Sequence, residues 1–271
     1  MKAVLISDTH LKIRGNLVRG VDPASRLEQC VSTIRRIADD ADICILLGDL
    51  ADTPTVAEYE TLLEILQPLN IPVHFIVGNH DDRNIFRLAC PWLPSDENGF
   101  VQSSYETRNE RLLFLDTLSE GQHEGDYSTL KLEWLERQLF ETSLKATYLF
   151  MHHPPFKSGF WNDYSMIQQA EPLLDLVVRS RRVSHIFAGH THRAASGNWR
   201  GITWSTLHGI CYENDFEMLP AKPNYRSGPA QIGILLLNGD ESVLHFQDAL
   251  DQFPLIAYSG KSLREPDIAA E

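Results

Sequence analysis

Five short apolar runs in this chain each pass into a turn carrying carboxylate, carboxamide or imidazole side chains. That repetition constrains the fold more than any other feature. The turns are Asp8-Thr9-His10, Gly48-Asp49-Leu50-Ala51-Asp52, Gly78-Asn79-His80-Asp81, Met151-His152-His153-Pro154 and Gly189-His190-Thr191-His192. Open α/β folds place their chemistry at the ends of parallel strands. Five such turns in this order read as one two-metal hydrolytic site.

The segments between them alternate in period. Strand-length apolar runs are expected at Lys2 to Ser7, Asp42 to Leu47, Pro72 to Val77, Leu112 to Leu115, Ala146 to Met151 and His185 to Ala188. Helical spacing is expected over Arg26 to Ala38, Val56 to Leu66, Leu130 to Phe140 and Pro172 to Val178. The alternation predicts βαβ units and an α/β fold. From Ala194 onward the pattern is β-like, with strands expected at Gly201 to Thr206, Gln231 to Leu237 and Ser242 to Gln247. Glu213 to Pro229 reads as a long irregular loop, and Ser259 to Glu271 as a loosely ordered polar tail.

Charge narrows the substrate. The 271 residues carry 37 acids against 24 bases, a formal net charge of −13. A nucleic-acid polymer would be repelled by that field, whereas two bound divalent ions would make a local cationic pit suited to a small phosphate ester. No run is long and apolar enough to span a bilayer, and the start of the chain reads as a strand rather than a leader. A cytoplasmic protein with no membrane partner is expected. Cys30, Cys44, Cys90 and Cys211 lack metal-ligand spacing and are expected to be free, buried thiols.

The donor types fit two cations sharing a carboxylate. Asp8 and His10, one residue apart, can reach the same ion from one strand end. Asp49 follows Gly48, where the backbone can turn sharply, and its two oxygens can hold one ion each. Asn79 offers a neutral carbonyl oxygen. His152, His190 and His192 add imidazole nitrogens, which suit Zn, Fe, Mn or Co.

These turns resemble those of the calcineurin-like metallophosphoesterase superfamily, and the resemblance runs from Met1 to about His192. Gly20-Val21-Asp22, Gly48 to Asp52 with Glu58-Tyr59 following, Gly78 to Asp82, and His152-His153-Pro154-Pro155 are more closely similar to its class III cyclic nucleotide phosphodiesterase and glycerophosphodiesterase branch. The resemblance implies a four-layer α/β/β/α sandwich with a small β-rich C-terminal cap or dimerisation region. It divides the chain into a catalytic domain, 1–205, and a β-rich extension, 206–271, that completes the sandwich. It implies one metal on Asp8, His10, Asp49 and His192, and a second on Asp49, Asn79, His152 and His190. His80 would lie over the metals as a catalytic residue, hydrogen-bonding a phosphoryl oxygen or protonating the leaving oxygen. The implied reaction is attack of a metal-held hydroxide on a small phosphodiester: a glycerophosphodiester, a cyclic nucleotide or a phosphonate monoester. A dimer or larger homo-oligomer is implied as well.

Other residues carry weaker signals. Asp52 and Asp81 are expected to orient a ligand or nearby backbone, although Asp52 could instead cap the helix near Thr55. Arg19 and Arg14 follow the first ligand pair, where a phosphate-facing role competes with simple solvent exposure. Trp161 lies in an aromatic segment, Phe156 to Tyr164, that reads as pocket wall, core or oligomer contact. His208 follows a late strand and is a candidate for lining the site. His153 reads as packing behind a ligand, and His74, His123, His185 and His245 as surface or core residues. Among other activities, a protein Ser/Thr phosphatase is disfavoured because Asp52 is followed by Thr53-Pro54 rather than Arg-Gly. A nuclease fits the acidic charge poorly. A phosphomonoesterase stays open, and a non-catalytic scaffold would be expected to have lost a ligand position.

Overall fold

The computed structural model describes residues 1–140, 146–218, 220 and 222–250. Its elements begin with β1 (Lys2–Ile6), α1 (Pro23–Ile37), β2 (Ile43–Leu47), α2 (Val56–Leu66), β3 (Val73–Ile76), α3 (Arg83–Ala89), β4 (Ser103–Glu106), β5 (Glu110–Leu115), α4 (Thr129–Phe140) and β6 (Ala146–Met151). They continue with α5 (Glu171–Ser180), β7 (Val183–Ala188), β8 (Ala195–Trp199), β9 (Ile202–Thr206), β10 (Glu213–Asn214), β11 (Tyr225–Arg226), β12 (Gln231–Asn238) and β13 (Glu241–Asp248). A 3-10 turn, Trp161–Ser165, precedes α5.

Two sheets face each other. The first has the order β13-β12-β1-β2-β3 and the second β4-β5-β6-β7-β9-β8. Side-chain alternation explains the layering. In β1, Val4 and Ile6 point to the helical side while Ala3 and Leu5 point to the other sheet. In β5, Leu113 and Leu115 meet α4 and α5, while Leu112 and Phe114 meet the first sheet. Strands buried on both faces read as continuous apolar runs. The α1, α2 and α3 helices cover one outer face and α4 and α5 the other, which gives the α/β/β/α order.

The strands that carry the turns are parallel within each sheet: β1, β2 and β3 in one, and β5, β6, β7 and β9 in the other. Their C-terminal ends therefore collect at one edge of the sandwich. The β12–β13 hairpin belongs to the first sheet, because β12 pairs antiparallel with β1 from Lys2↔Leu236 to Leu5↔Gly233. Leu235 and Leu237 of β12 fill the space between the sheets.

Local signals explain most differences from the sequence reading. The first helix begins at Pro23 rather than Arg26, because Asp22 accepts hydrogen bonds from Ala24 N and Ser25 N as an N-cap. Thr55, not Asp52, caps α2. The short α3 shows no helical period in sequence but is capped by Asp82. The stretch Glu213 to Pro229 is broken by the β10–β11 ribbon. All four cysteines are free and buried. The expected tail, Ser259 to Glu271, lies outside the described residues. No helix among the described residues is long and apolar enough to cross a membrane.

Candidate metal centre

The turns after β1 and β2 zip together beyond the sheet. Asp8 N donates to Gly48 O at 3.2 Å, His10 N to Asp49 O at 2.9 Å and Leu11 N to Leu50 O at 3.0 Å. Within the second sheet Gly189 N donates to His152 O, and across the sandwich His190 N donates to both Asp8 carboxylate oxygens at 3.2 Å. Turns separated by most of the chain are thereby fixed against one another.

The backbone at these turns is unusual. Asp8, His10, Asp49, His190 and His192 all have positive φ, between 40° and 66°. Side chains other than glycine adopt that region at a cost, and such residues cluster where function holds them. Gly48 and Gly78 provide the space these conformations need. A Cβ on Gly48, itself at φ +91°, would lie 2.5 Å from His152 Nδ1, and one on Gly78 would collide with Asp49 and with His152 Cδ2 at 2.8 Å.

Donor atoms converge in two groups. Asp8, His10, Asp49 and His192 each place one ligand atom within 4.8 Å of the others. In that group His192 Nε2 lies 3.3 Å from Asp8 Oδ1, and His10 Nε2 lies 3.5 Å from Asp49 Oδ2. In the second group His152 Nε2 lies 3.3 Å from Asp49 Oδ1 and 3.3 Å from Asn79 Oδ1. His190 flanks that group, its ring 5.1 Å from the ring of His152. Asp49 faces both groups with different oxygens.

The residues fit a pair of cations. His152 Nδ1 donates to Leu47 O at 2.7 Å, which leaves Nε2 as the atom facing Asp49 and Asn79. Adjacent ligands about 2.1 Å from one ion stand roughly 3.0–3.4 Å apart, the spacing found here. Charge agrees with geometry. Burial disfavours a proton on His152, but the Asp49 carboxylate outweighs it and raises its pKa to about 9. Burial likewise opposes the Asp49 charge, but His152 holds Asp49 well below the ordinary carboxylate range. The pit seeks positive charge, and a divalent cation supplies it.

His80 is held over Asp49. Its backbone N–H donates to Asp49 Oδ1 at 2.9 Å, and its Nδ1 lies 3.0 Å from Asp52 O. With Nδ1–H on that carbonyl, Nε2 is the nitrogen left for a ligand, and His80 lines the cavity. Asp81 works beneath the site. Its carboxylate accepts from Leu50 N, Ala51 N, Gly78 N and Tyr59 Oη, which fixes both glycine turns. Burial and the nearby Asp49 charge push its pKa up to about 6. Asp52 Oδ1 lies 3.5 Å from His10 Nδ1, and its other oxygen lies 3.1 Å from Lys12 Nζ.

A cavity of about 270 Å³ opens above the donors. Arg19 and Trp161 line it. The Arg19 guanidinium sits 3.7 Å from the Tyr225 ring centre and 4.9 Å from that of Tyr212. His208 is not brought to the cavity; its Nδ1 turns to Glu213 Oε2 at 2.8 Å. Arg14 pairs with Glu28 and Glu64 on the surface. His153 is buried with Nδ1 2.9 Å from Thr117 Oγ1. Of the aromatic segment, Phe156 stacks on Trp204 in the core and Tyr164 lies exposed at the rim. A larger groove of about 740 Å³ adjoins it at Tyr164 but is lined by none of the candidate ligands.

Several contributors had no sequence signal. His123 lines the cavity, its ring 6.3 Å from that of His80, although its sequence context reads as surface or core. Tyr212 stacks on His192 at 4.2 Å and accepts from His192 Nδ1 through its carbonyl at 2.9 Å. Ser165 Oγ contacts His190 Nε2 at 2.8 Å. Only the Gly209 bend hints at Tyr212: a Cβ there would lie 2.5 Å from His192 Nδ1.

Comparison with known proteins agrees with this geometry. Residues 1–194 match the calcineurin-like phosphoesterase family, and the chain belongs to it. It is 35% identical over 223 residues to a probable cyclic nucleotide phosphodiesterase from Rhodopseudomonas palustris, covering 81% of each chain. It is 29% identical to the glycerophosphodiester phosphodiesterase GpdQ from Enterobacter lignolyticus, covering 89% of this chain and 91% of that one. The fold is shared with a dimetal phosphatase from Danio rerio, with a TM-score of 0.65, 16% identity, and coverage of 90% of this chain and 98% of that one. The protein is thus an enzyme of the phosphodiesterase branch of that family.

Proposed function

We propose that this protein hydrolyses small phosphodiesters at a dinuclear metal centre. Glycerophosphodiesters, cyclic nucleotides and phosphonate monoesters are the candidate substrates. The observation that carries the reading is that Asp49 turns one oxygen to His10, in a cluster with Asp8 and His192, and the other to His152, with the His80 backbone N–H donating to it from above.

Asp8, His10, Asp49 and His192 would hold one ion, and Asp49, Asn79, His152 and His190 the other. When bound, divalent ions activate water at neutral pH and offset the charge of a phosphoryl group. A water oxygen bonds to phosphorus and one ester P–O bond breaks: a linear diester gives an alcohol and a phosphomonoester, a cyclic nucleotide opens to a single phosphomonoester, and a phosphonate monoester gives an alcohol and a phosphonate. His80 has Nδ1 engaged on Asp52 O, so its Nε2 is the atom that can carry a proton to the departing oxygen. Arg19, held over Tyr225, offers a fixed cation at the cavity for a non-reacting phosphoryl oxygen. The small cavity suits a small diester rather than a polymer.

The test is turnover of bis(4-nitrophenyl) phosphate with Mn²⁺, with and without chelator, beside 4-nitrophenyl phosphate. Chelator-sensitive turnover that favours the diester is expected. Absence of such turnover would overturn the enzyme reading, and a preference for the monoester would make it a phosphomonoesterase.

A further inference from the structure

A histidine that binds a cation is neutral, so one ring nitrogen carries a proton and the other a lone pair. The proton is almost always given to a fixed acceptor, which sets the orientation of the ring. For His152 and His192 that acceptor is backbone. Their Nδ1 atoms donate to Leu47 O at 2.7 Å and to Tyr212 O at 2.9 Å, which leaves Nε2 for an ion.

His190 is engaged through the opposite nitrogen. Its Nε2 lies 2.8 Å from Ser165 Oγ, and both residues are buried. The Ser165 hydroxyl has one proton, which it donates to Asn162 O at 2.9 Å. Its oxygen therefore accepts from His190 Nε2–H. The lone pair is left on Nδ1, the nitrogen nearer the backbone. That backbone is itself tied to the donors, because His190 N reaches both Asp8 carboxylate oxygens at 3.2 Å.

Ser165 is placed by contacts that do not involve His190. Within its 3-10 turn, Asp163 accepts from Ser158 N at 2.8 Å and from Gly159 N at 2.9 Å. Just beyond the turn, Ile167 N donates to Pro154 O at 3.1 Å and Gln168 N to Gly125 O at 2.9 Å. The hydroxyl is thus a fixed acceptor rather than one that follows the ring. Unlike Leu47 O and Tyr212 O, it belongs to a side chain, so one substitution removes it.

We propose that Ser165 is a positioning residue for one of the two ions: it accepts from His190 Nε2–H, keeps Nδ1 as the ligating nitrogen of the second donor group, and so governs retention of the ion that group binds. The inference rests on the dinuclear reading above, and the experiment separates the two.

The first measurement is the nitrogen NMR spectrum of the histidine-labelled, Zn²⁺-loaded wild-type protein. One metal-bound ring is expected to be coordinated through Nδ1 with its proton on Nε2, and that Nε2–H signal is expected to shift in Ser165→Ala. The second is zinc retention against graded chelator, read by elemental analysis. Ser165→Ala is expected to release one ion about ten- to a hundred-fold more readily than the wild type and to hold the other as the wild type does. Two bound ions with every metal-bound ring coordinated through Nε2 would overturn the inference while the dinuclear reading stands. Equal weakening of both ions would mark Ser165 as a residue of the fold alone, and unchanged retention would mark it as idle; either overturns the assignment. A wild type that holds fewer than two ions overturns both readings. The wild-type spectrum needs no variant, so it decides even where Ser165→Ala fails to fold.

Discussion

His10 Nε2 and His192 Nε2 stand 3.1 Å apart in the buried floor of the cavity. The other nitrogen of His192 donates to Tyr212 O at 2.9 Å, and the other nitrogen of His10 has Asp52 Oδ1 as its nearest acceptor, at 3.5 Å. Burial lowers the pKa of His192 to about 4, so its Nε2 carries a lone pair at neutral pH. For His10 burial also opposes a proton, but the Asp52 contact and the Asp49 and Asp8 charges together outweigh it and raise its pKa. A divalent cation between the two rings would use both Nε2 atoms together with Asp8 and Asp49.

Asp49→Ala is expected to remove both metals, because each donor group contains one of its oxygens. Elemental analysis of the purified variant checks this. A metal content equal to that of the wild type would show that Asp49 is not the bridge.

His80→Ala should leave metal content intact, since His80 Nδ1 is engaged on Asp52 O and its ring meets the candidate ligand His10 only in an edge-on packing contact. Turnover should fall by roughly a hundred- to ten-thousand-fold, the range for lost general-acid catalysis. The measurement is kcat on bis(4-nitrophenyl) phosphate with metal verified in the same sample; an unchanged kcat removes His80 from the mechanism.

Gly48→Ala tests whether the turn is shaped for His152. The added methyl meets the imidazole at 2.5 Å and forces a side chain into φ +91°. A stability loss of about 1–3 kcal/mol and weakened metal retention are expected, read by thermal melting and by dialysis against chelator. Wild-type behaviour in both would mean the imidazole has room to shift.

His185 sets an acid limit away from the centre. It stacks on Phe187 at 4.1 Å between Ser205 Oγ and Ser242 Oγ, and burial lowers its pKa to about 4. The unfolded chain binds this proton near pH 6.5, above the folded pKa, so it takes up more protons across that interval. The neutral ring's contribution is therefore complete above about pH 6.5 and declines as pH falls toward 4, on the order of 3 kcal/mol in all. Denaturant melts from pH 7 to 4 on wild type and His185→Gln should show a shallower slope in the variant. Parallel slopes would contradict the assignment.

Strand period and turn chemistry are local properties, so the candidate donors and their placement at strand ends were legible in the chain before any fold was known. Val56–Leu66 and Ala146–Met151 form with the bounds their patterns predict. The sequence also supplied Gly48 before Asp49, a local cue to a tight turn. Tertiary structure alone decided how the cavity is finished. His10 and His192 meet across 182 positions of sequence. Tyr212 against His192, Ser165 against His190, and Asn214 against Thr191 are contacts between elements with no shared periodicity. The left-handed backbone at Asp8, His10, Asp49, His190 and His192 was equally invisible, since residue identity disfavours that conformation and only the surrounding hydrogen bonds hold it. His208 illustrates the converse: its position after a strand pointed to the site, yet Glu213 holds it elsewhere, because the direction of a side chain leaving a strand end is set by its three-dimensional neighbours.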